Sequence, residues 1–264
     1  MTWGDGTLIA LAGLVAGLIN VIVGSGTLIT FPTLLALGYP PLVANVSNTV
    51  GLVPGSLAGV VGYRRELHDQ RTRVQRLAVA SLLGGIGGAV LLLTLPSAAF
   101  DAVVPVLIGL GVLLVAIQPW VSARLKGRSE RRAPQVDRDA AQPVATPAHG
   151  SALVWVLILL TGVYGGYFGA AQGVLLLAVM GIGIGDDLQR LNAVKNVLAM
   201  LVNAVAGVIF IASADVDWRV VALIAGGSVV GGLAGARVGR ALPPVAFRSF
   251  VVIVGVVAIV ALVL

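Results

Sequence analysis

Cysteine is absent from the 264-residue chain, and charged residues make up only 11% of it. Without thiols the chain can form no disulfide, no cysteine nucleophile and no cysteine-ligated metal site, and its redox compartment stays undecided. So few charges cannot cover the surface of a soluble domain of this size, and the mean hydropathy of +1.02 agrees with that. Composition therefore predicts an all-α polytopic membrane protein.

Acidic residues and histidines are missing from the middle of the apolar segments. The Asp and Glu residues lie in loops or near segment ends, which disfavours a buried carboxylate proton relay. His68 and His149 lie in loops, so neither a metal site nor a histidine base for an intramembrane protease is supported. The chain also has no Gly-x-x-x-x-Gly-Lys phosphate loop. We predict no enzyme activity, no cofactor, no metal and no nucleic-acid partner.

Apolar segments of two lengths are present. Several have the ~20 residues that one bilayer crossing needs, namely 42–63, 74–95, 100–120, 191–212, 219–238 and 245–264. Two longer stretches, 7–38 and 152–184, exceed one crossing and are interrupted by small residues at 24–26 and 169–173. One broken stretch followed by three spans occurs twice in the chain.

Residue patterns repeat between the two halves. The matched pairs are 81–89 with 228–236, 44–48 with 192–196, and Gly13 and Gly17 with Gly162 and Gly166. We interpret the pattern as an internal duplication. Residues 1–120 form the first repeat, 121–150 a disordered cytoplasmic linker rich in Arg, Pro, Ala and Gln, and 151–264 the second repeat.

Arginine placement predicts the orientation. Loops 64–76 and 237–248 and the linker carry many arginines, whereas 96–101 and 213–218 carry no Lys or Arg. By the positive-inside rule the arginine-rich loops are cytoplasmic, which places both termini outside. Each broken stretch must then be a re-entrant hairpin, and the two halves are inverted repeats, a plan common among secondary transporters. Eight simple spans with parallel halves are the alternative.

Lys195 is one of two lysines in the chain and lies inside the apolar span 191–212. A charge within hydrocarbon is costly, at least about 2.5 kcal/mol, unless it faces a partner or a wet cavity. We interpret Lys195 as the cation of a binding site for a small anion. The alternative is that its stem reaches the membrane interface and the ammonium is merely solvated there.

Amides and hairpin breaks complete the candidate substrate site. Asn192 and Asn196 flank Lys195. Asn48 is the repeat partner of Asn196, and Asn45 lies one turn from Asn48. Amide N–H groups can donate to anion oxygens. A helix that begins inside the membrane offers unpaired N–H groups and a positive dipole end. The candidates at the breaks are Gly24, Ser25, Gly26, Thr27, Gln172 and Gly173. The alternative is that the asparagines only form hydrogen bonds between helices and that the glycines only allow the chain to turn.

A glycine-rich break followed by a proline appears at 24–32, with a Leu-Gly-Tyr-Pro turn at 37–40 and a second copy at 162–173. In these motifs and in its duplicated layout the chain resembles the TauE/SafE sulfite exporter family, also called TSUP. The resemblance implies transport of small sulfur-containing or organic anions, such as sulfite or sulfonates, across the cytoplasmic membrane. The second break departs from the family pattern, because it has fewer glycines and contains Gln172.

These features together predict a secondary transporter that moves a small anion by alternating access. It would lie in the cytoplasmic (inner) membrane, in contact with lipid, and could form a homodimer. A passive anion channel and a non-transporting membrane subunit are the alternatives. The exact anion, the direction of transport and the coupling ion stay open.

Overall fold

A computed structural model describes residues 1–132, 150–239, 249, 251–257 and 260. The described part is built of helices without strands, which confirms the all-α prediction. The helices are α1 (Trp3–Ile22), α2 (Thr27–Ala36), α3 (Pro41–Gly62), α4 (Arg71–Thr94), α5 (Ser97–Arg132), α6 (Ala152–Tyr167), α7 (Gln172–Gly183), α8 (Leu188–Ser213) and α9 (Trp218–Val238).

Within the described residues, five helices are long and apolar enough to cross a bilayer: α1, α4, the first part of α5, α8 and α9. The chain is therefore a multi-pass membrane protein. Helix α3 occupies the predicted span 42–63 but is not among the five. It carries Asn45, Ser47, Asn48 and Thr49, all buried in the bundle. The predicted span 245–264 lies largely outside the described residues.

Both long apolar stretches are broken where the sequence predicts. Helix α1 ends before Gly24, whose φ is +88°, and α6 ends before Gly169, whose φ is +76°. Glycine adopts this left-handed backbone without the steric cost of a Cβ. The return helices α2 and α7 have 10 and 12 residues, too few to cross a bilayer. Each broken stretch is thus a long leg joined to a short one.

The two halves repeat their helix contacts. A Cβ on Gly84 of α4 would collide with the Leu159 carbonyl of α6, and one on Gly231 of α9 would collide with the Leu14 carbonyl of α1. Gly88 and Gly235, one turn further along, meet α6 and α1 in the same way. Each of these small-residue packing faces joins a helix of one half to the broken helix of the other half.

One predicted correspondence is wrong by a helical turn. A Cβ on Gly162 would lie 2.9 Å from the Ser81 carbonyl oxygen, and one on Gly17 would collide with the Ser228 carbonyl. Because Ser81 and Ser228 are repeat partners, Gly162 is the counterpart of Gly17 and not of Gly13. Glycines four residues apart share one helix face, so glycine spacing alone cannot fix this register.

Residues 121–132 are helical and continue α5, although the sequence assigns them to the linker. They contain the helix formers Ala, Leu, Arg, Lys and Glu. Near the start of this extension the Arg124 guanidinium stacks 3.8 Å from the centroid of the Trp120 ring, which supports another turn. Residues 133–149, which carry the rest of the predicted linker and His149, lie outside the described residues.

A charged cluster ties α4 to the start of α8. Asp186, between α7 and α8, accepts hydrogen bonds from Arg73 of α4 at 2.5 Å and from Arg190 of α8 at 3.1 Å. Gln70 donates to the Arg190 carbonyl at 3.2 Å. Partial burial by itself would raise the pKa of Asp186. The hydrogen bonds from Arg73 and from the Asp187 N–H, together with the charges of Arg73 and Arg190, outweigh that effect, so the pKa is lowered.

Asp186→Asn should lower the free energy of unfolding by about 2 kcal/mol, because hydrogen bonds to a charged group are lost. The matched control is Asp69→Asn, whose ion pair with His68 is exposed and should contribute little. The measurement is thermal unfolding of purified protein in detergent between pH 7 and pH 3. A folded-state pKa below the unfolded value of about 3.9 gives stability that is present above that value and lost as pH falls through the folded pKa. The difference between wild type and Asp186→Asn should therefore close in acid, and a constant difference would contradict the ion-pair account.

Candidate functional site

The tips of the two helix breaks touch each other. The Gly173 N–H, at the start of α7, donates to the Gly24 carbonyl at 3.0 Å. A Cβ on Gly173 would lie 2.5 Å from the Gly24 Cα, and one on Gly24 would collide with Gly173 in turn. Only a pair of glycines allows this approach. The contact joins residues that are about 150 positions apart in the chain and belong to different halves.

Lys195 of α8 lies beside this contact and is fully buried. Its Nζ donates to the Asn20 carbonyl at 3.2 Å and to the Val21 carbonyl at 3.0 Å. Both carbonyls belong to the last turn of α1, where the break removes their helical partners. Its stem passes Gly173, where an added Cβ would lie 3.1 Å from the Lys195 Cδ. The ammonium caps α1 inside the bundle and does not reach the surface.

Helix α6 is capped in a similar way by a neutral group. The Asn45 Nδ2, on α3, donates to the Tyr167 carbonyl at the end of α6, at 3.0 Å. Asn192 supplements Lys195, because its Nδ2 lies 3.5 Å from the Val21 carbonyl. A central helix of each half therefore caps the broken helix of the other half, once with a charge and once with an amide.

The charge of Lys195 decides the sign of the local field. Two helices end at the breaks and two begin there, and each end carries roughly half an elementary charge of alternating sign. To a first approximation these four contributions cancel. Among the described residues no carboxylate lies within ion-pair distance of Lys195. When Lys195 is protonated, the junction therefore carries a net positive charge, surrounded by backbone and amide dipoles.

Several buried polar atoms around the junction have no hydrogen-bond partner among the described residues. Three are potential donors, the Ser25 Oγ, the Gln172 Nε2 and the Asn196 Nδ2. Ser25, Gln172 and Asn196 directly adjoin Gly24, Gly173 and Lys195 in sequence. Asn45 and Asn192 each leave an amide oxygen unpaired. Unpaired buried polar groups are uncommon in proteins, so these atoms are candidate contacts for a polar ligand. The Gln172 amide itself lies against Gly165 of α6.

The other predicted site residues are engaged within the first hairpin. The Asn48 Nδ2 donates to the Thr27 Oγ1 at 3.3 Å, and the Asn48 Oδ1 accepts from Thr30. The Gly26 N–H lies 3.5 Å from the Asn20 Oδ1, at the limit of a hydrogen bond. Asn48, Thr27 and Gly26 thus hold α2 against α1 and α3. Each of them has a hydrogen-bond partner within the first half of the chain.

Asn20 is part of the site, although the sequence analysis does not select it. Its carbonyl accepts from Lys195, and its Nδ2 donates to the Ser56 Oγ at 3.2 Å. The signal that could have found it is the break itself, since the last carbonyls before a break need donors. Ser47, which matches Lys195 in the repeat, contacts the loop before α9: its Oγ accepts a hydrogen bond from the Asp217 N–H at 2.9 Å.

The fold and this junction define a multi-pass helical membrane protein with a buried cation between two broken helices. Comparison with known sequences identifies the family to which the chain belongs. Residues 9–262 match the family described as sulfite exporter TauE/SafE, and the chain belongs to that family. The resemblance found from the motifs is thereby confirmed.

Several relatives match this chain over most of their length. The chain is 25% identical to a probable membrane transporter protein of Haemophilus influenzae, over 91% of this chain and 88% of the relative. It is 26% identical to the probable membrane transporter protein ORF9 of a Sinorhizobium species, over 93% and 87%. It is 25% identical to the probable membrane transporter protein YfcA of Escherichia coli K12, over 92% and 84%. Family and relatives support a membrane transporter.

Gly173→Ala should destabilise the protein by about 1–3 kcal/mol, because the added methyl group overpacks the contact with Gly24. Gly226→Ala is the matched control, since a Cβ there meets nothing within 4 Å. Removing a glycine from a helix interior should stabilise α9 by up to about 1 kcal/mol. Thermal unfolding of both variants tests the junction. If Gly173→Ala and Gly226→Ala had the same melting temperature, the tips of the two helix breaks would not be in contact.

Proposed function

We propose that this protein is a secondary transporter that moves a small sulfur-containing anion, such as sulfite or an organosulfonate, by alternating access. It would act in the cytoplasmic membrane, with the arginine-rich helix ends facing the cytoplasm. The observation that carries the proposal is the fully buried Lys195 ammonium at the junction of two helix breaks, with no carboxylate in ion-pair range among the described residues.

The donors at the junction suit an oxyanion. An ammonium has three N–H donors, and Lys195 uses two of them on the α1 carbonyls. The third can form a charge-assisted hydrogen bond with one oxygen of the anion. Ser25, Gln172 and Asn196 can supply neutral hydrogen bonds to its other oxygens. Sulfite and sulfonates carry three oxygens around one sulfur, so a compact set of one charged and several neutral donors matches them.

Burial of the site favours a carrier over a channel. Lys195 and Ser25 are both fully buried, and Gln172 and Asn196 nearly so. A permanently open pore would expose its lining, whereas a carrier passes through a state closed on both sides. Each half contributes one hairpin to the junction, and in an inverted arrangement each hairpin would gate one side. Displacing either hairpin would break the Gly24–Gly173 contact and open the site.

Lys195→Gln separates the two roles of this side chain. Glutamine keeps an amide that can cap an α1 carbonyl, but it removes the positive charge. We expect sulfite or a small sulfonate to raise the melting temperature of the wild type by mass action. Loss of a charged hydrogen bond, about 1.5–3 kcal/mol, should weaken binding by the variant by roughly 10- to 100-fold. Arg219→Gln, which removes an exposed cation, is the control. If the anion raised the melting temperature of Lys195→Gln as much as that of the wild type, Lys195 would not take part in anion binding.

Flux into proteoliposomes distinguishes the carrier from the channel. A carrier should show saturable uptake of labelled anion and accelerated exchange when unlabelled anion is loaded inside. A channel would show neither saturation in the same range nor counterflow. If no anion crosses, while the protein is folded and correctly reconstituted, the non-transporting subunit becomes the better account.

A further inference from the structure

A second charged feature lies at the protein surface, and none of its lining residues belongs to the Lys195 junction. A groove of about 320 Å³ runs along the seam between the ends of α3 and α9. Its polar lining consists of Arg64 and Arg65, just beyond α3, and Arg237 in the last turn of α9. Val61 and Leu233 line its apolar side. The transport site uses none of these residues.

The three arginines are exposed and lack acidic partners among the described residues. Ion pairs in the described part of the chain involve His68, Arg73 and Arg190 only. Three guanidinium groups around one groove repel one another, and an anion between them relieves that repulsion. Arginine presents several N–H donors in a planar fork that matches phosphate oxygens. The polar end of the groove is therefore complementary to a phosphate.

An exposed apolar strip leads away from the arginines on both helices. Leu57 and Val61 lie one turn apart on α3, and Val230 and Leu233 lie one turn apart on α9. All four are exposed, and Arg237 continues the α9 face four residues after Leu233. Each helix thus presents apolar side chains that end at arginine. This is the polarity of a membrane lipid, with a charged head and an apolar chain.

The floor of the groove is rigid. A Cβ on Gly62 would collide with the Ala236 Cβ, so α3 and α9 are in close contact directly beneath the arginines. Gly232 of α9 similarly packs against the Gly55 backbone of α3. Close packing through small residues fixes the separation of the two helices. The backbone positions from which the arginines project are consequently fixed before any ligand arrives.

We propose that this groove binds an anionic phospholipid of the surrounding bilayer. Its phosphate lies among Arg64, Arg65 and Arg237, and an acyl chain follows the strip along α3 and α9. A soluble phosphate would use only the polar end, whereas a lipid uses the whole length of the groove. Basic pockets between membrane helices are suited to acidic headgroups, and each arginine near such a surface favours binding about five-fold.

The test is thermal unfolding of the purified full chain in detergent with added phosphatidylglycerol, phosphatidylcholine or inorganic phosphate. Phosphatidylglycerol should raise the melting temperature of the wild type saturably. The other two additives should not. Arg237→Gln should weaken the response about five-fold, and the triple variant Arg64→Gln, Arg65→Gln, Arg237→Gln about 100-fold. Arg219→Gln, at the opposite end of α9, should respond like the wild type.

Three outcomes would overturn the proposal. Equal stabilisation by phosphatidylcholine would mean that the headgroup charge is not recognised. An equal shift with inorganic phosphate would mean that the groove binds a free anion and the apolar strip contributes nothing. An unchanged response of Arg237→Gln, which keeps two arginines and leaves the Gly62–Ala236 contact intact, would place the lipid elsewhere. None of these outcomes bears on anion binding at Lys195.

Discussion

Every buried backbone group in a membrane protein needs a hydrogen-bond partner, and a helix that stops inside the membrane leaves several without one. The site follows from this constraint. The break after α1 frees the Asn20 and Val21 carbonyls, which Lys195 satisfies. The break after α6 frees the Tyr167 carbonyl, which Asn45 satisfies. Each cap comes from the other half of the chain, so the two halves complete each other. The cation is placed where it is because the fold needs a donor there.

That origin gives Lys195 a second property. A neutral amide is enough to cap a carbonyl, as Asn45 demonstrates at α6. A protonated Lys195 does more than capping requires, since the charges of the helix ends roughly cancel and that of the ammonium is left over. Such a charge is costly to bury without an anion. Binding of an anion beside the ammonium would offset the free-energy cost of burying it. The unpaired donors of Ser25, Gln172 and Asn196 next to the junction fit the same explanation.

Much of this could be predicted from the sequence, and the exceptions have physical causes. Glycine-rich interruptions of long apolar stretches located both breaks, because only glycine readily takes the left-handed backbone at Gly24 and Gly169. Lys195 was identified because a lone charge is conspicuous in an apolar span. The carbonyl groups that accept from Lys195 could not be predicted, since a sequence does not show which helix end approaches a side chain. The glycine register was off by one turn, because a shift of four residues preserves the helix face. That Asn48 faces the anion stays a prediction; in this structure its side chain bonds Thr27 and Thr30 of α2.

The two ends of the bundle are closed by different chemistry. Beyond the Lys195 end of α8, Asp186 joins Arg73 and Arg190, and Gln70 holds the Arg190 carbonyl. Beyond the matching end of α3, the loop before α9 is held to Ser47 by the Asp217 N–H. Charge-assisted hydrogen bonds are roughly twice as strong as neutral ones. The contact beside the start of α8 is therefore the stronger of the two. The two ends of α8 thus differ in a few charged residues, whereas both helix breaks at the centre are capped from the other half of the chain.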